Sequence, residues 1–138
     1  MDLDEVDLQI ITLLQDNSRL SNKEIGAQIH MTGQAVGVRI NKMVEKGLIE
    51  KFTLLVNKEK AGITITALIK IYMKTLDHNK MKRLIISTNE IIEAYRTSSD
   101  CCYFIKVETN NNETLNHILD QISEFATYQL SLSIGKIK

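Results

Sequence analysis

The period at which apolar residues recur changes near residue 60, and this change constrains the fold more than any other feature. Over residues 3–44, apolar side chains recur every three or four residues, as on one face of a helix. From Ile63 to Met73 every second residue is apolar, which is typical of a strand with one buried face. A polar run over 57–62 lies between the two patterns. We therefore predict two domains, 1–56 and 63–138, joined by a linker at 57–62.

The first domain is predicted to contain three helices and a strand. Asp4 precedes the first helix as its cap, a capping box begins the second helix at Ser21, and Thr32 occupies the N-cap position of the third. About three residues separate the second and third helices, which is the helix-turn-helix pattern. Gly47 follows the third helix, where a residue with positive φ is favoured. Residues 48–56 are rich in β-formers, which predicts a strand of a wing.

The second domain shows the order β-α-β-β-α-β. Helical spacing follows the first strand around Met81 and returns over 115–126. Strand patterns lie at 91–97, at 101–108 and near the C-terminus. This order predicts an α+β protein whose second domain is ferredoxin-like, with a four-stranded antiparallel sheet and two helices on one face.

The opposite face of this sheet is predicted to carry Leu68, Tyr72 and Phe104. It is more apolar than a face exposed to water should be. We expect a second subunit to cover it, and therefore a homodimer. Contact with the N-terminal domain is the alternative.

Charge is unevenly distributed although the formal net charge is zero. Residues 1–16 hold five acids and no base, whereas residues 17–60 hold eight bases and four acids, a net +4. Residues 61–138 carry a net +1. The positive charge lies on the helix-turn-helix region, where the phosphates of bound double-stranded DNA would lie.

The third helix has an inward stripe and an outward face. The inward stripe is predicted to comprise Val36, Ile40, Met43 and Val44. In a major groove, amide side chains bind adenine and small apolar groups contact the thymine methyl. The residues predicted to contact DNA from this helix and its cap are Thr32, Gln34, Ala35, Val38, Asn41 and Lys42.

Phosphate contacts are predicted outside this face. Ser21 and Lys23 begin the second helix, and Lys51 lies in the predicted wing. Such contacts position a protein on DNA without specifying the sequence. Arg39 is included among the DNA-binding residues with two alternatives open, namely a phosphate contact or an ion pair with an acid of the first helix.

The sequence does not predict an enzyme, a metal site or a cofactor. His30, His78 and His117 are scattered and lack spaced partners that resemble a catalytic or metal-binding set. The adjacent residues Cys101 and Cys102 would point to opposite faces of a strand. The apolar stretches are too short for a membrane span and the N-terminus is acidic, so we expect a cytoplasmic protein without membrane contact.

Three runs of residues carry a family resemblance. They are Leu3-Asp4-Glu5-Val6-Asp7, the run at 16–21, and the run from Arg39 to Ile49 that contains Lys46-Gly47-Leu48-Ile49. Together with the domain order, they resemble the Lrp/AsnC (leucine-responsive, or feast/famine) family of transcription regulators over essentially the whole chain. The resemblance implies a winged helix-turn-helix followed by a RAM/ACT-like domain that senses ligands and forms oligomers. It also implies dimers that assemble into tetramers or octamers.

The chain departs from the family pattern at two places. The third helix begins Thr32-Gly33, where the family usually has Ser-Pro. The turn between the second and third strands, which in the family lines an amino-acid effector pocket, comprises here Ser98, Ser99, Asp100 and Cys102. Ser99 replaces the usual Gly and Cys102 replaces the usual Asp. Asp100 is the carboxylate that could take its place, and a regulator without an amino-acid effector is the alternative.

These observations favour one function over another. We expect a sequence-specific transcriptional regulator that binds promoter DNA as a dimer or higher oligomer, with an amino acid or other small molecule as its candidate effector. The alternative is a small-molecule-binding α/β protein whose helical half mediates protein contacts.

Overall fold

The computed structural model describes residues 3–138 of the chain. Two compact units are distinguished, one up to Leu55 and the other from Val56 onward. The N-terminal unit consists of the helices α1 (Glu5–Asp16), α2 (Asn22–Ile29) and α3 (Gly33–Glu45).

The predicted helix starts are confirmed. Asp4, Ser21 and Thr32 are the N-caps, and the side chain of each accepts a hydrogen bond from the backbone amide three residues later. This removes one unsatisfied donor from the first turn of each helix. Gly47, just beyond α3, has φ 72°, so the predicted left-handed position is confirmed as well.

The core of the N-terminal unit is built from side chains of all three helices. Its buried members are Ile10, Ile25, Val36, Ile40 and Met43. Val44 is an exception to the predicted inward stripe, since it is 44% exposed. It follows that the face of α3 which lacks these buried residues is free for another role.

The turn between α2 and α3 depends on a close backbone approach. His30, the C-cap of α2, adopts the left-handed conformation with φ 58°. The Met31 amide donates to the carbonyl of Gly26. A Cβ at Gly26 would collide with the Met31 carbonyl oxygen, so a side chain there is incompatible with this turn.

The strand predicted over 48–56 is wrong. Residues 50–57 have no regular secondary structure. Phe52, Leu54 and Leu55 are 54%, 75% and 96% exposed. Backbone hydrogen bonds within the described residues 3–138 do not involve residues 50–56. A strand needs a neighbouring strand for its ladder, and the described part of this chain does not supply one here.

The C-terminal unit confirms the order β-α-β-β-α-β. Its elements are β1 (Ile65–Met73), α4 (His78–Ser87), β2 (Ile91–Arg96), β3 (Tyr103–Thr109), α5 (Asn112–Ser123) and β4 (Ala126–Leu132). The strands form one antiparallel sheet in the order β2-β3-β1-β4. This is the predicted ferredoxin-like arrangement, with β1 starting two residues after the expected Ile63.

The two faces of the sheet differ in burial. On the helix-covered face, Ile69 and Ile71 of β1 and Ile105 of β3 are fully buried with side chains of α4 and α5. On the opposite face, which we name the open face, Leu68, Tyr72 and Phe104 are only partly buried. The predicted alternation along β1 is therefore confirmed, and the open face keeps apolar surface accessible.

Candidate nucleic-acid interface

The outward face of α3 is exposed along one stripe. Gln34, Val38 and Asn41 follow the helical spacing i, i+4, i+7 on the side opposite the buried Val36 and Met43, and all three are exposed. Val38 is 63% exposed although it is apolar. Among the other predicted residues of α3, Lys42 is exposed and Ala35 is half-buried.

The predicted phosphate contacts at the start of α2 lie on the surface. Ser21 and Lys23 are exposed. The Ser21 hydroxyl donates to Glu24 Oε2 at 2.7 Å and accepts from the Glu24 amide at 3.2 Å. Hydrogen bonds from the Ser21 side chain and backbone lower the pKa of Glu24 below its usual value. Ser21 therefore first serves the helix cap, whereas the exposed Lys23 side chain is not engaged in this cap.

Thr32 and Lys51 are two further predicted DNA contacts, and both are exposed. Thr32 is exposed, and its hydroxyl accepts from the Ala35 amide at 3.2 Å. Lys51 is exposed within the irregular segment after α3 and not on a wing strand. Both positions remain accessible from solvent.

The structure distinguishes between the two alternatives for Arg39. Its Nη1 lies 2.7 Å from Asp4 Oδ2 and 2.7 Å from Asp7 Oδ1, so the guanidinium is held by two acids at the start of α1. Asp7 is 4% exposed. The ion pair with the first helix is therefore the alternative that the structure shows.

These contacts shift the ionisation of the paired groups. The pKa of Asp4 is lowered, mainly by the hydrogen bond from the Asp7 amide and then by the Arg39 side chain. Hydrogen bonds to Asp7 and then to Asp4 raise the pKa of Arg39. Asp4 therefore has a second role beside the predicted helix cap, and the acids that pair with Arg39 are both in the Leu3-Asp4-Glu5-Val6-Asp7 run.

The predicted effector residues lie together in one turn between β2 and β3. Ser98, Ser99 and Asp100 are exposed, and Cys102 is half-buried. The Thr97 amide donates to the Cys102 carbonyl at 3.1 Å and closes the turn. The turn therefore presents three polar side chains to solvent.

Asp100 has a neighbour on the open face. The Tyr72 hydroxyl donates to Asp100 Oδ2 at 3.4 Å. Partial removal from water raises the pKa of Tyr72, and the Asp100 carboxylate raises it further. This contact joins the turn that carries the predicted effector residues to β1, and no sequence pattern predicts it.

The three histidines do not form a site within the described chain. Among residues 3–138, no three His, Cys, Asp or Glu side chains lie close enough to hold a metal ion. His78 Nδ1 lies 2.9 Å from the Tyr103 hydroxyl, an interaction between α4 and β3. No helix in the same residues is long and apolar enough to cross a membrane.

A capped helix-turn-helix with an exposed polar face, followed by a βαββαβ domain, defines a DNA-binding regulator with a sensing domain. Comparison with known proteins agrees with this class. Residues 3–50 match the family model for winged helix-turn-helix DNA-binding domains, and residues 66–138 match the Lrp/AsnC ligand-binding domain. The chain belongs to the Lrp/AsnC family.

Individual relatives cover the whole chain. It is 44% identical over 138 residues to the transcriptional regulator LrpB of Bacillus subtilis, covering 100% of this chain and 93% of that protein. The structure of LrpC from B. subtilis matches with a TM-score of 0.92 and 28% identity, covering 100% and 99% of the two chains. Escherichia coli AsnC matches with a TM-score of 0.88 and 25% identity, covering 99% and 95%.

These findings confirm the predicted fold class and the general function. The chain is a DNA-binding transcriptional regulator with a winged helix-turn-helix and a ligand-binding domain. Its relatives are transcriptional regulators and not enzymes.

Proposed function

We propose that the protein binds promoter DNA sequence-specifically as a homodimer, with α3 in the major groove. The observation that carries this proposal is the exposed stripe of Gln34, Val38 and Asn41, which is not used by the core. Lys42 beside it and Lys23 at the start of α2 supply positive charge for the flanking phosphates. In a two-fold dimer, two such helices would read a palindromic site with half-sites about one or more turns of DNA apart.

Two surfaces support a dimer. The first is the open face, where Phe104 lies opposite Lys70 of β1 and Tyr95 of β2 in the strand register. Leu68 and Tyr72 extend this partly apolar surface along β1. Lys70 lies between Leu68 and Tyr72 on this face, and the aromatic residues around it are of the kind enriched in protein–protein interfaces.

The second surface is the segment 50–56, which has no regular secondary structure. Its backbone lacks hydrogen-bond partners within residues 3–138, and Leu55 is 96% exposed. A segment of β-formers with free backbone groups gains hydrogen bonds and buries apolar area when it pairs with the same segment of a second copy. We propose that both surfaces are covered in the homodimer, from which tetramers or octamers assemble.

Substitutions on α3 test the DNA contact. Lys42→Ala should weaken binding to all sequences and reduce the slope of log affinity against log salt by about 1, because one phosphate contact is lost. Asn41→Ala should reduce the preference for the specific site by about 5-fold or more. Gel shifts with the protein's own promoter region at several salt concentrations measure both effects.

Lys82→Ala, at an exposed position of α4, is the matched control and should leave the affinity unchanged. If folded wild-type protein binds no upstream DNA even at low salt, the proposal is wrong. If both α3 variants bind as tightly as wild type, the alternative of a small-molecule-binding protein with a protein-contacting helical half is favoured.

We also propose an amino-acid effector at the turn formed by Ser98, Ser99, Asp100 and Cys102. Asp100 supplies a carboxylate for an ammonium group, and the serine hydroxyls supply further polar partners. The Tyr72 hydroxyl donates a hydrogen bond to the same carboxylate.

The proposed partner of the protein is promoter DNA. We therefore expect the protein to be located in the cytoplasm.

A thermal-shift screen of the twenty amino acids tests the effector proposal. An effector should raise the Tm of wild type, because a ligand that binds only the folded state stabilises it. Asp100→Asn should abolish the shift, whereas Asp120→Asn, on the exposed side of α5, should retain it. A screen without any specific shift would favour a regulator that lacks an amino-acid effector.

A further inference from the structure

We infer that α3 reads A·T base pairs at the centre of each half-site and that Val38 contacts a thymine methyl group there. This inference rests on the proposed function and names the DNA chemistry that the exposed stripe of α3 recognises. It depends on which side chains of α3 are free to reach base edges.

Guanine is most often read in the major groove by a bidentate arginine or lysine. Arg39 is the one arginine of α3. Its guanidinium is bound to Asp4 and Asp7 at 2.7 Å each, and Asp7 is buried. To reach a base, Arg39 would have to leave a buried carboxylate unpaired, which is costly. The ion pairs with Asp4 and Asp7 therefore keep Arg39, the side-chain type that most often reads guanine, from reaching the groove.

The stripe that remains carries two amides and one apolar side chain. Gln34 and Asn41 are exposed and lie seven residues apart on the same side of the helix. At 1.5 Å per residue they are about 10 Å apart along the axis, which matches about three base-pair steps. A bidentate amide pairs with N6 and N7 of adenine. The two amides thus favour adenine at two positions of the half-site.

Val38 lies between the two amides and is the unusual member of the stripe. It is 63% exposed on an otherwise polar surface. The one apolar group at the edge of a base pair in the major groove is the thymine 5-methyl. Contact between this methyl and the valine side chain removes apolar area of both from water, which favours thymine over cytosine at that position.

Two charged side chains lie next to the stripe and affect its contacts with DNA differently. Glu45 follows Asn41 on the same side at the last residue of α3, where its carboxylate would repel phosphates. Lys42 lies to one side of the stripe and is the residue through which guanine could still be read. The sequence of the bound DNA therefore distinguishes the two readouts.

A selection from a random pool of duplex DNA with full-length wild-type protein makes this distinction. We expect an enriched palindrome whose half-sites carry consecutive A·T pairs at their centres. A half-site centred on an invariant guanine would overturn the inference while leaving sequence-specific DNA binding intact. A pool without any enriched sequence, from folded protein, would overturn the proposed function and the inference with it.

Replacement of thymine by deoxyuridine, which lacks the 5-methyl group, tests the role of Val38. Made at a single thymine in one of the two half-sites, this change should weaken wild-type binding about fourfold, the effect expected for one buried methyl-sized group. Val38→Ala should lose this sensitivity. Val44→Ala is the matched control, because Val44 is also an exposed valine of α3 but lies off the stripe, and it should keep the sensitivity.

Each outcome decides the assignment of Val38. A fourfold loss that is present in wild type and Val44→Ala but absent in Val38→Ala supports it. If deoxyuridine has no effect at any thymine of the selected site, or weakens Val38→Ala as much as wild type, Val38 does not contact a thymine methyl. Both substitutions are at exposed positions, so the fold should be retained, which circular dichroism verifies.

Discussion

At the scale of single residues, the ion pairs of Arg39 join two helices and at the same time restrict what α3 can recognise. Asp4 and Asp7 also form a reciprocal capping box at the start of α1, in which each side chain accepts a hydrogen bond from the other's backbone amide. The same two carboxylates therefore cap the N-terminus of α1 and form ion pairs with the guanidinium. Negative charge at a helix N-terminus is favourable, so the two roles reinforce each other.

The first prediction concerns the pH dependence of this cluster. The folded state lowers the pKa of Asp4, so its contribution to stability is fully present above its ordinary value of 3.8 and is lost as the pH falls through the lowered value. Arg39→Met should lower the Tm at neutral pH, because the buried Asp7 loses its cation. It should also reduce the loss of Tm between neutral and acid pH, but only in part, since the Asp7 amide is the main cause of the Asp4 shift.

Thermal unfolding of the full chain, followed by circular dichroism from neutral to acid pH, measures both effects. Arg19→Met, in the exposed turn between α1 and α2, is the control and should follow the wild-type curve. Equal Tm values for the two variants at neutral pH would contradict a stabilising role for the Arg39 ion pairs.

At the scale of elements, the helices of the N-terminal unit could be predicted because their signals are local. Each cap lies three residues from the amide that it accepts from, so the residues Asp4, Ser21 and Thr32 indicate helix starts without any knowledge of the fold. The packing of the turn between α2 and α3 is different, because it depends on how closely two backbones approach. Gly26 is the residue that permits this approach.

The second prediction compares two glycines of these helices. Gly26→Ala should destabilise the protein by about 1–3 kcal/mol, the cost of overpacking against backbone that cannot move easily. A Cβ at Gly37 would meet only the Asn22 side-chain amide, which can rotate away. Gly37→Ala should therefore be neutral or stabilising by up to about 1 kcal/mol, because alanine favours helix.

Urea unfolding of the two variants and wild type gives these free energies. If Gly26→Ala unfolds at the same urea concentration as Gly37→Ala, the turn is less tightly packed than the structure indicates.

At the scale of the whole molecule, a single chain leaves some of its apolar surface exposed, and we expect an assembly of several chains to bury it. The C-terminal unit covers one face of its sheet with α4 and α5, and leaves Phe104 on the open face partly accessible. Leu55 in the segment 50–56 is 96% exposed. Surfaces of this kind are expected to be covered in an oligomer.

The third prediction tests the homodimer. Leu55→Asp and Phe104→Lys should each shift wild-type dimers toward monomers, because a charge would be buried without a partner in the interface. Leu76→Asp is the matched control, since Leu76 is 95% exposed in the loop before α4, outside both proposed surfaces. Sedimentation equilibrium at micromolar concentration measures the change.

A wild-type protein that is monomeric at this concentration would contradict the dimer proposal. Dissociation of the Leu76→Asp variant to the same extent as the other two would instead show that the interface lies elsewhere. Loss of operator affinity in parallel with dissociation is expected, since two linked half-site contacts bind far more tightly than one.

The sequence by itself determined the order of the elements, the caps and the two patterns of apolar residues. These features arise from contacts between residues up to four positions apart in helices, or from alternation along a strand. It also placed Gln34, Val38 and Asn41 on one side of a helix, because helical geometry fixes which residues share a face. The family resemblance rested on the same short runs.

Only the tertiary structure showed that Arg39 pairs with two acids of the first helix region and that the predicted wing strand does not form within one chain. The partners of Arg39 are 35 and 32 residues away in sequence, so no local pattern specifies them. The segment 48–56 has the composition of a strand, but a strand forms only where another backbone completes its ladder. Local propensity could therefore predict the helices, whereas the ion pair and the strand depend on which distant groups the fold brings together.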